Sequence, residues 1–206
     1  MSIKPAYSVA ILLSLFFVHV PSTLYAQELQ ELKIEAPEGW RSEGVDLPPA
    51  FAPELKLKGR AELQFGPGMF DKDADHFFTY VYAFRTEAEP KFDEDVITSS
   101  LLAYYQGLAK RVSRDRSVDV DSFTLKLEKP EQQSDSVDAF TGQLVWTEPF
   151  ATNAQQTLTL KIESRFDEDS KKNYLFVCAS PSDDEEIWKQ LLEIRDGFNK
   201  SFGFEK

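Results

Sequence analysis

A chain of 206 residues, 42% of them hydrophobic, is long enough for one domain of ordinary size to bury its own core. Its formal charge of −12 repels phosphate backbones and anionic bilayers, so nucleic acid is not an expected partner. The single cysteine, Cys178, excludes an intramolecular disulfide.

The first residues read as an export signal. Lys4 supplies a positive charge, and Val9 to Val20 form an apolar run interrupted by Ser14 and His19. Pro21 and Ser22 break the run, and Ala26 offers a small residue ahead of polar Gln27 and Glu28. The run is too short for a membrane span, which needs about 20 apolar residues. No cysteine near its end could accept a lipid. We therefore expect residues 1–26 to be a cleaved signal peptide and residues 27–206 to be a single exported domain, in the periplasm or outside the cell. Removal takes away Lys4 and no acid, so the mature chain is more acidic still.

The remaining segments mostly alternate with period two. Leu32 and Ile34 suggest a first strand, followed by a turn at Pro37-Glu38-Gly39-Trp40. Ser42 to Pro53 reads as a loop, because Pro48, Pro49 and Pro53 lack backbone donors. Ala61, Leu63 and Phe65 predict a strand that Gly66-Pro67-Gly68 stops. His76 to Arg85 reads as a central strand, with Phe78, Tyr80, Tyr82 and Phe84 on one face and Phe77, Val81 and Ala83 on the other. A helix is expected from the N-cap Asp93, with Ile97, Leu101, Tyr104, Tyr105, Leu108 and Val112 on one stripe. Four strands follow, at Phe123–Leu127, Phe140–Trp146, Leu158–Ile162 and Tyr174–Ala179, with Pro130 to Asp138 as a hairpin connection. A closing helix starts at Ser182, with Glu185 completing a capping box, and carries an apolar stripe from Ile187 to Phe202.

This order predicts an α+β fold: an antiparallel sheet of six to seven strands with a mid-chain and a C-terminal helix, arranged as an α/β/α sandwich. The order, the Pro37-Glu38-Gly39-Trp40 segment and the aromatic end Phe198-Asn199-Lys200-Ser201-Phe202 resemble the PsbP-like superfamily, which includes the DcrB group. The resemblance covers most of residues 32–202 at the level of topology. It implies a non-catalytic scaffold that binds other macromolecules, with no common ligand or catalytic residue to carry over.

Chemistry-bearing residues are sparse. Asp71, Asp73 and Asp75 copy the first three ligand positions of a calcium loop, but His76 stands where the turn glycine belongs and Tyr82 where the bidentate glutamate belongs. A solvated acidic turn is the expected reading there, and also at Asp167-Glu168-Asp169. The acids Asp183 to Glu186 suit a helix start. His76 is the one histidine after residue 26, too few for a zinc site, and no Gly-x-Ser-x-Gly elbow accompanies it. Cys178 falls inside an apolar strand, where a thiol behaves as a small hydrophobe. Trp40 lies outside any period and either caps the core or marks a surface. Asn199-Lys200-Ser201 is formally a glycosylation sequon on an apolar helix, so it reads as incidental.

No catalytic, cofactor-binding or metal-ligating set is therefore expected. The leading functional expectation is an exported, non-enzymatic binding or accessory protein, with another envelope or secreted protein as its partner. The alternative is a small-molecule or lipid carrier with an apolar cavity between the sheet and the C-terminal helix.

Overall fold

The computed structural model describes residues 31–113, 117–130 and 137–204. Seven strands form one sheet: β1 (Arg41–Leu47), β2 (Gly59–Phe65), β3 (Tyr80–Thr86), β4 (Thr124–Glu128), β5 (Asp138–Thr147), β6 (Gln155–Asp167) and β7 (Lys172–Ser180). Helix α1 (Glu94–Val112) follows β3, and α2 (Glu185–Ser201) closes the chain. The strand order is β1-β2-β3-β7-β6-β5-β4, and every pairing is antiparallel. Thus α1 carries the chain from β3 to the far edge of the sheet, and the β4–β7 meander returns it to pair β7 with β3.

The doubly apolar strands β3 and β7 sit at the centre, as their composition requires. On one face Tyr80, Tyr82 and Phe84 of β3 and Leu175, Val177 and Ala179 of β7 pack with Ile97, Leu101, Tyr105 and Ala109 of α1. On the other, Val81, Ala83, Tyr174, Phe176 and Cys178 pack with Ile187, Leu191, Ile194 and Phe198 of α2. A helix on each face makes an α/β/α sandwich. Complete burial of side chains this large contributes about 1.5–3 kcal/mol each, so the two faces hold the sheet and helices as one unit.

Both helices end as electrostatics and backbone geometry favour. The Asp93 carboxylate accepts from Val96 N at 2.8 Å, Glu94 and Asp95 occupy the positive end, and Lys110 and Arg111 the negative end. Helix α2 closes with Gly203 at φ +69°, with Gly203 N donating to Lys200 O and Phe204 N to Asn199 O. That is a Schellman cap, and Phe204 lies near Phe198 as its apolar contact.

Four sequence expectations are corrected. Leu32 and Ile34 are buried but belong to no strand; their segment lies extended over the α2 face, where Gln64 Nε2 donates to Ile34 O at 2.9 Å. The loop expected from Ser42 begins only at Pro48, because Arg41–Leu47 pairs with β2 as an edge strand. Strand β3 starts at Tyr80 rather than His76, because Phe78 takes φ +49° and turns the chain, which also puts Phe77 on the α1 side of the core. Helix α2 begins at Glu185, with Asp184 as its N-cap accepting from Glu186 N and Ile187 N. Ser182 Oγ instead accepts from Asp184 N in the preceding turn. The expected signal segment 1–26 and residues 131–136 of the expected hairpin connection lie outside the described residues.

Two helix glycines give a paired test of packing. A Cβ on Gly107 of α1 would meet Phe51 O at 2.4 Å and Ala52 Cβ at 2.8 Å, whereas one on Gly197 of α2 would meet nothing within 4 Å. Gly107→Ala is expected to lower stability by a net amount of about 1 kcal/mol, since backbone overpacking outweighs the gain in helix propensity. Gly197→Ala is expected to raise it by up to about 1 kcal/mol. Urea denaturation of both variants checks the contrast, and equal signs would show that the segment after β1 is not held against α1.

Candidate functional site

The chain between β2 and β3 closes on itself. Gly66 N donates to Thr79 O at 3.0 Å and Phe78 N to Met69 O at 2.9 Å. Gly68, at φ +77°, makes a turn that a side chain would strain. The result is that Met69 points inward while Phe70, 41% exposed, stays at the surface as a large apolar side chain. Phe70 packs on Phe150 from the β5–β6 connection (ring centroids 5.0 Å), which in turn packs on Phe78 (5.7 Å).

Behind these rings lies a pocket of about 250 Å³. Its wall is built from period. Glu43 and Val45 are two apart on β1, Leu63 and Phe65 two apart on β2, and Tyr104, Leu108 and Val112 recur at steps of four on α1. Gly107 admits the backbone of Phe51, whose ring meets Tyr104 edge-on at 5.2 Å. Glu43 is the one charged side chain in the lining.

The deep side of the pocket abuts a buried tyrosine cluster. The hydroxyls of Tyr80 and Tyr105 hydrogen-bond to each other. The Tyr82 hydroxyl is buried beside Tyr105, with no hydrogen-bond partner in sound geometry among the described residues. Burial pushes Tyr80, Tyr82 and Tyr104 well above the ordinary phenol range, and pushes Tyr105 up to about 12. Because these folded values exceed the unfolded value of 10.0, the stability they contribute is whole below pH 10 and is lost as pH rises through about 12. We expect tyrosinate absorbance from this cluster to appear together with loss of near-UV circular dichroism in an alkaline titration. Ionisation near pH 10 in a still-folded protein would contradict the burial.

The other sequence candidates are dispersed. Asp71 Oδ1 accepts from Asp73 N at 3.1 Å, Asp73 pairs with Lys72 at 2.6 Å, and Asp75 faces the start of α2. Among the described residues no group of three or more His, Cys, Asp or Glu is arranged to hold a metal ion. His76 hydrogen-bonds to Gln190 Oε1 at 2.9 Å, beside an open hollow of about 390 Å³ that Asp75, Asp184, Glu186 and Glu193 make acidic. Cys178 is fully buried against α2, its thiol donating to Leu191 O at 3.5 Å, and burial pushes it up to about 12. It does not line the hollow that His76 lines. Trp40 packs on the α2-side core and meets His76 edge-on at 6.2 Å. Asp167 accepts from the amides of Asp169 and Ser170 in the β6–β7 turn. Asn199 is buried and donates to Glu163 Oε2 at 3.0 Å, so the sequon is spent on packing.

Sequence reasoning missed the pocket. Its one early signal was Gly66-Pro67-Gly68-Met69-Phe70, an aromatic placed directly after a turn and outside any strand period. Comparison of the chain with protein-family models, curated proteins and solved structures finds no match. No helix among the described residues is long and apolar enough to cross a membrane.

Proposed function

We propose that this chain is an exported, non-catalytic binding protein whose ligand site is the pocket between β1–β2 and the C-terminal half of α1. The observation that carries the reading is a hollow of about 250 Å³ whose lining is mostly apolar and includes the exposed Phe70. Exposed apolar surface around a concavity is what a ligand-binding site presents. The export-type N-terminus supports the exported location, and the PsbP-like resemblance implies a scaffold that binds rather than reacts. The side chains with reactive chemistry support it too: the Cys178 thiol is held protonated under α2 and away from the hollow that His76 lines. The α2 face is filled by its own stripe and the Leu32–Ile34 segment, so the α1 face is the better seat for a small ligand than the space under the C-terminal helix.

Native mass spectrometry of gently extracted protein tests this. A small-molecule adduct is expected in the wild type and not in Val45→Trp, which wedges an indole into the pocket. A clean wild-type mass, together with no shift of the pocket resonances on titration with toluene, removes the reading.

A further inference from the structure

Resting on that assignment of the ligand site, we infer that the pocket takes a small hydrophobic cation: an ammonium group carried on an apolar body of a few carbons. The lining supplies seven aromatic side chains, among them Phe51, Phe65, Phe70, Tyr80 and Tyr104, and its single charge is the carboxylate of Glu43. Aromatic faces carry negative potential, so a cage of them favours a cation and disfavours an anion. Among the described residues the Glu43 carboxylate has no hydrogen bond or ion pair, although its field reaches the buried Tyr104 hydroxyl. An ammonium seated there would add an ion pair to a carboxylate that is otherwise solvated. A neutral ligand would gain nothing from the carboxylate, and an anion would be repelled by it.

Two further observations agree. The Arg41 guanidinium lies 5.5 Å from the centre of the Phe70 ring, so one face of this ring already attracts a cation in the folded protein, and a bound ammonium would use the other lining rings. The formal charge of −12 raises the local concentration of cations around the whole molecule. Size limits the occupant, because a pocket of about 250 Å³ falls below the roughly 300–1,000 Å³ that drug-sized ligands occupy. Alkyl- and aralkylammonium compounds fit; lipids with long chains do not.

The test is a titration followed by NMR, at low salt, with three probes of one shape: phenyltrimethylammonium, neutral tert-butylbenzene and benzenesulfonate. The cation is expected to bind about tenfold more tightly than the neutral isostere, in line with a desolvated cation–π and carboxylate contact. Glu43→Gln, at an exposed strand position, is expected to erase most of that difference, weakening phenyltrimethylammonium far more than tert-butylbenzene. Equal binding of the cation and its neutral isostere, unaffected by Glu43→Gln, overturns the cation assignment and leaves a general apolar site. Tighter binding of benzenesulfonate overturns it likewise. If no probe binds the wild type and Val45→Trp behaves identically, the pocket itself is not the ligand site and both readings fall.

Discussion

Replacing Glu148 by alanine is expected to lower the stability of the protein by about 3 kcal/mol, because it removes the buried acceptor that several loop donors share. Glu148 is fully buried in the connection between β5 and β6. Its carboxylate accepts from the backbone amides of Phe150, Ala151 (3.1 Å) and Thr152 (2.7 Å) and from the Thr152 hydroxyl (2.8 Å). Its own amide donates to Ala154 O at 2.9 Å. A loop this tight cannot turn its amides to water without losing the position of Phe150, which forms one wall of the pocket. Glu148→Gln keeps the shape but turns an NH2 toward donors, so it is expected to recover little of the loss. Guanidinium denaturation measures the effect directly, and thermal melting should drop by about 6–12 °C for a chain of this size. A loss below about 1 kcal/mol for both variants would mean that the loop rearranges freely and that the carboxylate does not organise it. Ligand binding gives an independent readout: a variant that stays folded is expected to lose the pocket's affinity for toluene, since Phe150 no longer faces Phe70 and Phe78.

The dependence of the pocket on Glu148 explains much of what could and could not be seen beforehand. Strands β2, β3, β5, β6 and β7 were legible because each buries at least one face, and burial imposes period two on the sequence. Helix α1 was legible down to its N-cap Asp93 for the same reason at period 3.6. Strand β1 was not. Its residues Arg41 to Gly44 are exposed on both faces, so no alternation marks them, and only the ladder to β2 makes them a strand. Conversely, Leu32 and Ile34 alternate because they cover the α2-side core, without any ladder, so the right pattern had the wrong cause. The start of α2 was ambiguous locally, since Ser182, Asp183 and Asp184 are all competent N-caps, and in the fold Ser182 caps the preceding turn while Asp184 caps the helix. The pocket suffered from both limits. Glu43 and Val45 came from the unmarked strand, Phe51 from a proline-rich loop, and Phe150 from a loop held by a glutamate with no sequence motif. No single window of sequence contains enough of the lining to suggest a cavity.

On the opposite face, the buried charge that ties β6 to α2 should matter almost as much. Glu163 receives Arg165 at 3.3 Å, Arg195 at 3.1 Å and the Asn199 amide at 3.0 Å, with its side chain 16% exposed. Arg165 also donates to Phe204 O at 3.1 Å and stacks over the Phe204 ring at 5.5 Å, so the network clamps the last turn of α2 and its Schellman cap. Removing the carboxylate leaves Arg165 at low exposure without its acid partner, its Nε already buried and unpartnered, while Arg195 keeps only Asp196. Glu163→Ala is therefore expected to cost about 3 kcal/mol, the range for breaking a buried ion pair from one side. Glu128→Ala, which removes an exposed partner of Lys126, is expected to cost well under about 1 kcal/mol. The contrast separates network loss from generic loss of charge. Amide hydrogen exchange should localise the first effect to residues 194–204, with α1 and the pocket keeping their protection, because the α2 face shares few side chains with the α1 face. Equal costs for the two variants, or loss of protection spread evenly over both helices, would show that Glu163 does not hold α2 to the sheet.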